Sequence, residues 1–546
     1  MPKTYLALTI GPIYKTLMST KKAHEIWGAS YLFSWIMENI IYQIDTEKYE
    51  LIVPVKAQIK ERKGAGLFPD RLMLSTEMGN IQEAISYGEN AVNDLAKEVT
   101  HTLGKSVEYT NVYTFLQEYL HLYWVETQDL ATIKDENNQN PLVALNELLD
   151  VAELQIQFPK GQEGENYLLS FLARVQTYEC LWAQKAFDTS IKKQEFATVD
   201  EISAVALYNA SKTFHDIWAD IGWLKMKKEL GNKDTIIERL KTKEAFLTCH
   251  KYYAIVQSDG DDIGKTIGTL HQLENGYADF SRALHEFGEE AVKRIYKYIG
   301  GDFKGVPLYA GGDDLMFFAP LVNGKGASLF SLIQEIENVF DEKMQAIVKR
   351  AKEKYESMPK KDKDDEDKFK EPKLSFGVSI VYYKYPMQES LATAKRLLFD
   401  VAKKYEWNGQ KKNCLALQVQ KHSGQLFSLE MNKATELYEK LKMLIQNYVT
   451  NNGELPNKFL NSITYTLNRN EALLKQISGN KTRIEAFMEH NFNEDVHKGI
   501  EPYKKEVVAL IRACFQDTAK PLENLYAMLR MINFLTAKDN SNEDEY

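Results

Sequence analysis

The chain of 546 residues is 44% hydrophobic and 27% charged, with 14 prolines and 29 glycines. That composition excludes a collagen-like, mucin-like or mostly disordered protein and points to three or four globular domains of roughly 150 residues each. Acidic residues outnumber basic ones, 77 to 68, for a net charge of −9, which excludes a free-standing nucleic-acid binder with an overall basic surface but leaves room for a local basic groove.

The chain opens with a strand, Tyr5 to Ile10, stopped by Gly11-Pro12. A helix is expected through about Ile41; its apolar run from Ile26 to Met37 is too short to span a bilayer, which takes about 20 residues, and reads as a buried helix. Strands follow at Leu51–Val55 and Arg71–Ser75, and helical periodicity resumes near Ile81. Residues 1–105 therefore form a compact α/β unit. From about 105 to 245 the pattern is helical, and 106–249 is assigned as a helical domain that can include part of the first unit. The aromatics Tyr113, Phe115, Tyr119, Tyr123 and Trp124 are interleaved with apolar residues and read as core rather than as a base-stacking platform.

Residues 250–425 carry the chemistry. A buried-type strand, Lys251–Gln257, ends at Ser258-Asp259-Gly260-Asp261-Asp262. A helix with Tyr277, Phe280, Leu284, Phe287, Ala291 and Ile295 on one face comes next. Strands Val306–Ala310 and Leu315–Phe318 are joined by Gly311-Gly312-Asp313-Asp314, a hairpin turn by composition. A second long helix, a charged solvated loop over 357–373, a strand Leu374–Tyr382, a helix from about Ser390 to Lys404 and a strand Asn413–Val419 complete the region. The order is β-α-β-β-α-β, the ferredoxin-like arrangement. Residues 426–546 read as a C-terminal helical domain with a polar tail. The fold class is thus α+β, with palm-like sheets and helical domains.

In that order strand one lies beside the hairpin, so Asp259, and Asp261 with it, would face Asp313 and Asp314. Three or four carboxylates share a small volume only when a cation neutralises them. Magnesium, or manganese, is the natural ion, because it accepts one or two carboxylates and completes its octahedron with water and phosphate. Two ions about 4 Å apart would activate a hydroxyl and stabilise leaving pyrophosphate. Gly311 and Gly312 give conformational freedom and let a phosphate or base approach the backbone. Lys403 and Lys404, closing the last helix, are placed to meet a triphosphate. The parts are those of a nucleotidyl transferase palm.

These motifs resemble the large, palm-containing subunit of type III CRISPR effector complexes, particularly the Cmr type. Thr9-Ile-Gly-Pro-Ile13 and Ile26-Trp-Gly-Ala-Ser-Tyr-Leu-Phe-Ser34 look like the opening of that family's first palm. Leu67-Phe-Pro-Asp-Arg-Leu72 is similar to its next signature, with Asp70 where the family usually has Asn. Phe196-Ala-Thr-Val-Asp-Glu-Ile202, Ser258 to Lys265, Ala310 to Asp314, Leu374-Ser-Phe-Gly377, Ala402-Lys403 and Lys421-His-Ser-Gly424 follow in the family's order. The resemblance implies two palms face to face, with helical domains between and after them. It adds Ser258, Gly260 and Ser375 to the nucleotide-binding residues and makes Asp259, Asp313 and Asp314 catalytic and metal-binding. It also implies an ATP-dependent nucleotide messenger made when target RNA pairs with guide RNA in a multisubunit complex. The product is either a cyclic oligoadenylate or a conjugate of ATP with S-adenosylmethionine, because both need the same metal-bound ATP.

Two departures from the family carry expectations. The chain begins at the first palm strand, and its His215-Asp216 dipeptide has no second His cluster, so no HD nuclease is expected. The cysteines at 180, 249, 414 and 514 are isolated, with no C-x2-C pair, so neither structural zinc nor a disulfide framework is expected, and a reducing cytoplasmic setting without membrane insertion fits. A stand-alone diguanylate-cyclase-like enzyme and a scaffold with a decayed palm remain as other readings. The want of a sensory module weighs against the first, and the intact Asp259, Asp313 and Asp314 against the second.

Overall fold

Strand β1 (Thr4–Gly11) is buried along most of its length and holds a central place in a sheet of four strands. The computed structural model describes residues 3–60, 62, 64–131, 139–154, 165–175, 181–186, 247–297, 305–322, 327–358, 369–447, 457–492 and 501–536. After β1 come α1 (Ile13–Ser19), α2 (Ala23–Gln43), β2 (Tyr49–Val53), β3 (Arg71–Thr76), α3 (Ile81–Leu103), α4 (Tyr109–Tyr119) and β4 (His121–Thr127). The sheet order is β2-β3-β1-β4, with Leu6 opposite Leu74 and Leu8 opposite both Leu72 and Trp124. All pairs are antiparallel, so the first palm is itself β-α-β-β-α-β. The run from Ile26 to Met37 is buried inside α2 except at Trp35. Among the described residues no helix is long and apolar enough to cross a membrane.

The reading of 105–245 as helical throughout is corrected at β4. Leu122, Tyr123, Trp124 and Val125 are aromatic or branched residues of the kind a pleated sheet packs well, and β1 offered them an open edge. The sheet therefore continues past residue 105. Phe115 is buried and stacks on Tyr119, and Tyr113 and Trp124 pack against the same core, as expected of core aromatics. Beyond β4 lie α5 (Pro141–Glu153), α6 (Tyr167–Arg174) and α7 (Leu181–Lys185). Phe196 to Ile202 and His215-Asp216 lie outside the described residues, as does Cys180.

The second palm runs β5 (Tyr252–Asp261), α8 (Ile263–Leu270), α9 (Gly276–Lys297), β6 (Val306–Gly311), β7 (Asp314–Pro320), α10 (Leu329–Ser357), β8 (Lys373–Tyr382) and α11 (Met387–Arg396), which continues as a π-helical turn over Leu397–Ala402. A two-residue ribbon, β9 (Glu406–Trp407) with β10 (Gln410–Lys411), precedes β11 (Cys414–Gln420) and β12 (Leu426–Asn432). The order is β12-β11-β8-β5-β7-β6, with β8 and β11 parallel and the other pairs antiparallel. Residues after 426 do not return to helix at once. Phe427, Leu429 and Met431 are buried while Leu426 and Ser428 are exposed, the period of two that makes β12 a strand. Among the described residues six helices follow, α12 (Glu436–Ile445), α13 (Asn457–Arg469), α14 (Glu471–Ile477), α15 (Lys481–Asn491), α16 (Glu501–Asp517) and α17 (Pro521–Thr536). They dock on the second palm: the Asn524 amide donates to the Glu430 carbonyl at 2.8 Å, and Phe534 meets Tyr252 edge-on at 4.8 Å.

The palms meet along β6 and α2. The Ala310 amide donates to the Gly66 carbonyl at 2.8 Å, the Ser30 hydroxyl to the Leu308 carbonyl at 3.2 Å, and Asn140 at the head of α5 bridges the Ile267 carbonyl and the Tyr277 phenol. One hydrophobic core runs through both palms and into the C-terminal helices.

Candidate active site

The register of β5 against β7 and β8 builds the site. Ser258 pairs with Leu315, so the next residues of β5 lie alongside the turn that precedes β7. Gly311 pairs with Asp314, leaving Gly312-Asp313 as a two-residue turn. Gly312 has φ +70° and Asp313 does not enter the left-handed region, the glycine-first pattern of a type II′ hairpin. Gly311 is extended, and a Cβ there would lie 2.3 Å from the Tyr309 phenol oxygen. A Cβ on Gly260 would lie 2.5 Å from Asp313 Oδ2. The Asp313 carboxylate thus rests on the backbone of β5, which only glycine permits here.

Asp259, Asp313 and Asp314 come together as expected. Burial first, and then the charge of Asp259, pushes the Asp313 carboxyl up to about 6, and Asp259 also hydrogen-bonds it. Burial and then Asp313, Asp259 and Asp70 push Asp314 well above the usual carboxylate range. Solvent reaches the Asp314 side chain through the open mouth of the cleft, so for this residue the three like charges, rather than burial, carry the argument. The site is short of positive charge.

Lys403 supplies one. Its ammonium lies 2.8 Å from Asp259 and 2.9 Å from Asp261 and also donates to the Gly260 carbonyl. Burial works against that charge, but the two carboxylates outweigh it and hold its pKa above the ordinary lysine value. Asp261 does not face the turn. It is buried and accepts from the Ser375 hydroxyl at 2.5 Å and from the Asn413 amide at 2.8 Å. Ser375 is also fully buried and accepts from the Cys414 amide, so it orients Asp261 and does not open to a nucleotide. Lys404 points away and pairs with Asp400 at 2.9 Å, both well exposed.

An inter-palm cavity of about 290 Å³ opens beside Asp314. Ser30, Ser34 and Asp70 line it from the first palm, and Ser258, Tyr309 and Lys395 from the second. The Ser258 hydroxyl is buried and has no hydrogen-bond partner among the described residues. Tyr309 is held well above the ordinary tyrosine value by burial and by Asp70, Asp314 and Asp313. Burial likewise raises Asp70. Sequence reasoning missed Tyr309 and Lys395 as site residues. The signal for Tyr309 was its place at an alternate position just before the glycine turn.

Among the described residues no group of three or more His, Cys, Asp or Glu side chains is already arranged to hold a metal ion. The donor set nonetheless fits a divalent cation: hard carboxylate oxygens from two neighbouring strand ends, with mutual repulsion that only partly meets a positive partner. Asp259, Asp313 and Asp314 are the residues that would hold it.

The family model described as Cas10/Cmr2, second palm domain, matches residues 252–416. The CRISPR system Cmr subunit Cmr2 of Pyrococcus furiosus is 26% identical over 279 residues, covering 45% of this chain and 28% of that protein; the chain thus matches less than a third of that relative's length. A solved structure of the type III-B Cmr-beta complex in its apo state contains a chain with TM-score 0.58 and 10% identity, over 98% of this chain and 82% of that one. The same complex bound to cognate target RNA gives 0.54 and 8%, over 98% and 83%. At such identities the structures speak to the fold alone. Residues 252–416 thus match the Cas10/Cmr2 second palm domain, and the chain as a whole is similar to the Cmr2 subunit of Cmr-type complexes.

Proposed function

We propose that the chain is a target-RNA-activated nucleotidyl transferase of a type III CRISPR complex, using ATP to make a nucleotide second messenger for antiviral defence. The observation that carries this reading is the convergence of Asp259, Asp313 and Asp314 at the mouth of the inter-palm cavity. Magnesium or manganese, when bound, would lower the pKa of the attacking hydroxyl and neutralise the departing pyrophosphate. Asp259, Asp313 and Asp314 would hold that charge in place. Gly312, with no side chain at the turn, lets phosphates approach the backbone. The free Ser258 hydroxyl is available to a nucleotide oxygen, and Lys403 is close enough to exchange a carboxylate for a phosphate. Ser375 and Asp261 keep Lys403 aimed. Partner subunits, guide RNA and target RNA belong to the same reading, since a palm that answers foreign RNA must be poorly organised until the complex binds it.

A second reading concerns the acceptor. Asp70 adds a carboxyl to the cavity that already holds Asp314. A cationic acceptor such as S-adenosylmethionine would offset that charge, whereas an adenylate hydroxyl would not. A decayed scaffold sits poorly with three intact, mutually strained carboxylates, and a stand-alone cyclase sits poorly with the Cmr-type relationship.

The test is to incubate the assembled complex with target RNA, labelled ATP and S-adenosylmethionine, and to identify products by mass. Wild type should release pyrophosphate and yield either a cyclic oligoadenylate or the conjugate. The D313A/D314A double variant should lose product by at least about a hundredfold, with the complex still assembled. Wild-type product from the double variant would sink the assignment.

A further inference from the structure

The inter-palm cavity has two carboxylates, Asp70 and Asp314, and one cation, Lys395, among its described lining residues. This side chain lies in the last turn of α11, half-buried, with Nζ 3.5 Å from the centroid of the Tyr14 ring of the first palm. No carboxylate stands within ion-pair distance of it among the described residues. Nearby lysines behave differently: Lys403, Lys404, Lys412 and Lys433 all have acidic partners. Burial without a counter-charge lowers the pKa of Lys395, the opposite of what happens at Lys403.

Its surroundings suit a ligand. Tyr14 and Phe399 also line the cavity and keep exposures of 39% and 42%, which is high for aromatic rings in a seam between two packed domains. A flat heterocycle can lie on such faces. Asp70 and Asp314 then stand at one side of the cavity, with Lys395 as the complementary charge. Asp259 and Asp313, the other two carboxylates of the cluster, are not among the residues that line the cavity. An anion resting on Lys395 is therefore a different group from those that the carboxylates and their cation would manage.

We propose that Lys395, seated on Tyr14, binds an anionic group, phosphate or carboxylate, of the second substrate in the inter-palm cavity and so helps set which acceptor is used. The inference rests on the transferase reading above. The competing account is a purely mechanical one, in which Lys395 and Tyr14 only latch the palms together; Gln388, on the same helix, already reaches the Thr20 carbonyl of the first palm.

The experiment uses the full chain in its assembled complex with target RNA, with calcium in place of magnesium to hold substrates without turnover. Equilibrium dialysis measures labelled ATP and labelled S-adenosylmethionine separately against wild type, K395M and K395R. In K395M the affinity for at least one should fall about tenfold at an unchanged thermal midpoint. K395R should recover to within about threefold, because a guanidinium keeps the charge and stacks on Tyr14. Weaker ATP alone marks a phosphate, weaker S-adenosylmethionine alone marks a carboxylate, and both together mark a pocket that accepts either. In turnover with magnesium, the acceptor KM should rise while kcat stays within about threefold. Wild-type affinities in K395M overturn the inference. So does a fall in thermal midpoint that K395R fails to correct, which would make the contact a latch. If the wild type forms no product and binds neither ligand, the transferase reading falls and this inference with it; wild-type turnover with unaltered K395M binding removes this inference alone.

Discussion

The two palms share the order of four core strands, to which the second adds β11 and β12, and differ in what their strand ends carry. In the first, β1 closes on Gly11-Pro12, and β2 is joined to β3 by the long connection 54–70, which delivers Asp70 to the cavity. In the second, β5 closes on Asp259-Gly260-Asp261, and a two-residue turn brings Asp313 against it. The sheets solve the same packing problem with the same order of elements; the chemistry lies in a handful of residues at one end of one of them. The first palm contributes a wall, with Tyr14, Ser30, Ser34 and Asp70, and the second contributes the charge cluster.

The sharpest way to break that contrast is to remove the support beneath the cluster. Asp261 is buried, holds Lys403 at 2.9 Å and satisfies the Ser375 hydroxyl and the Asn413 amide. D261A would take one of two carboxylates from Lys403 and leave the buried Ser375 hydroxyl and the part-buried Asn413 amide short of an acceptor, at a cost of about 3 kcal/mol. D261N keeps the shape and one acceptor, so it should lose less. Thermal melts of the metal-free protein check both, and a D261A protein as stable as wild type would show that Asp261 is no anchor. No equivalent buried acid ends β1, so the first palm has no counterpart to this weakness.

The carboxylate pair was legible because its residues are local: a strand, an acidic end, then a glycine turn at the right place in a repeated order. The division of labour within the acidic run was not legible. Asp259 and Asp261 are two apart on one strand, and sequence alone does not say that Ser375 and the Asn413 amide, both more than a hundred residues away, will claim Asp261. The first palm's closing strand was missed for a similar reason. His121–Thr127 follows a helix without a strong turn signal, and its strand character depends on the edge that β1 presents. By contrast β12 carried a plain alternation from Leu426 to Met431 that a shorter window would have caught.

A pH experiment sharpens the contrast further. The Asp313 carboxyl is pushed up to about 6, first by burial and then by Asp259, so between the ordinary carboxylate value near 4 and about 6 the folded protein holds a proton that the unfolded chain releases. The stability this proton contributes is fully present below about pH 4 and is lost as pH rises through about 6. In EDTA, the thermal midpoint of wild type should therefore fall more between pH 5 and 7 than that of D313N, by a few degrees. Equal slopes would mean that neither burial nor the neighbouring Asp259 raises the Asp313 carboxyl in the folded state.

The smallest expected effect separates two adjacent lysines. Consecutive helical residues differ by about 100° around the axis, so Lys403 and Lys404 cannot both face the cleft. The π-helical turn over Leu397–Ala402 ends with Lys403 on Asp259 and Asp261 and Lys404 on Asp400 in solvent. An exposed pair four residues apart on a helix is worth about 0.3–0.5 kcal/mol, so K404M should stay within about twofold of wild type in product formation and within about a degree in melting. K403M removes the charge that Asp259 and Asp261 share, and product formation should fall by at least tenfold. Side-by-side assays of the two variants in the assembled complex decide it. If K404M were the more damaging of the two, the helix would have to present its other face to the site, and the charge arrangement described around Asp259 would be wrong.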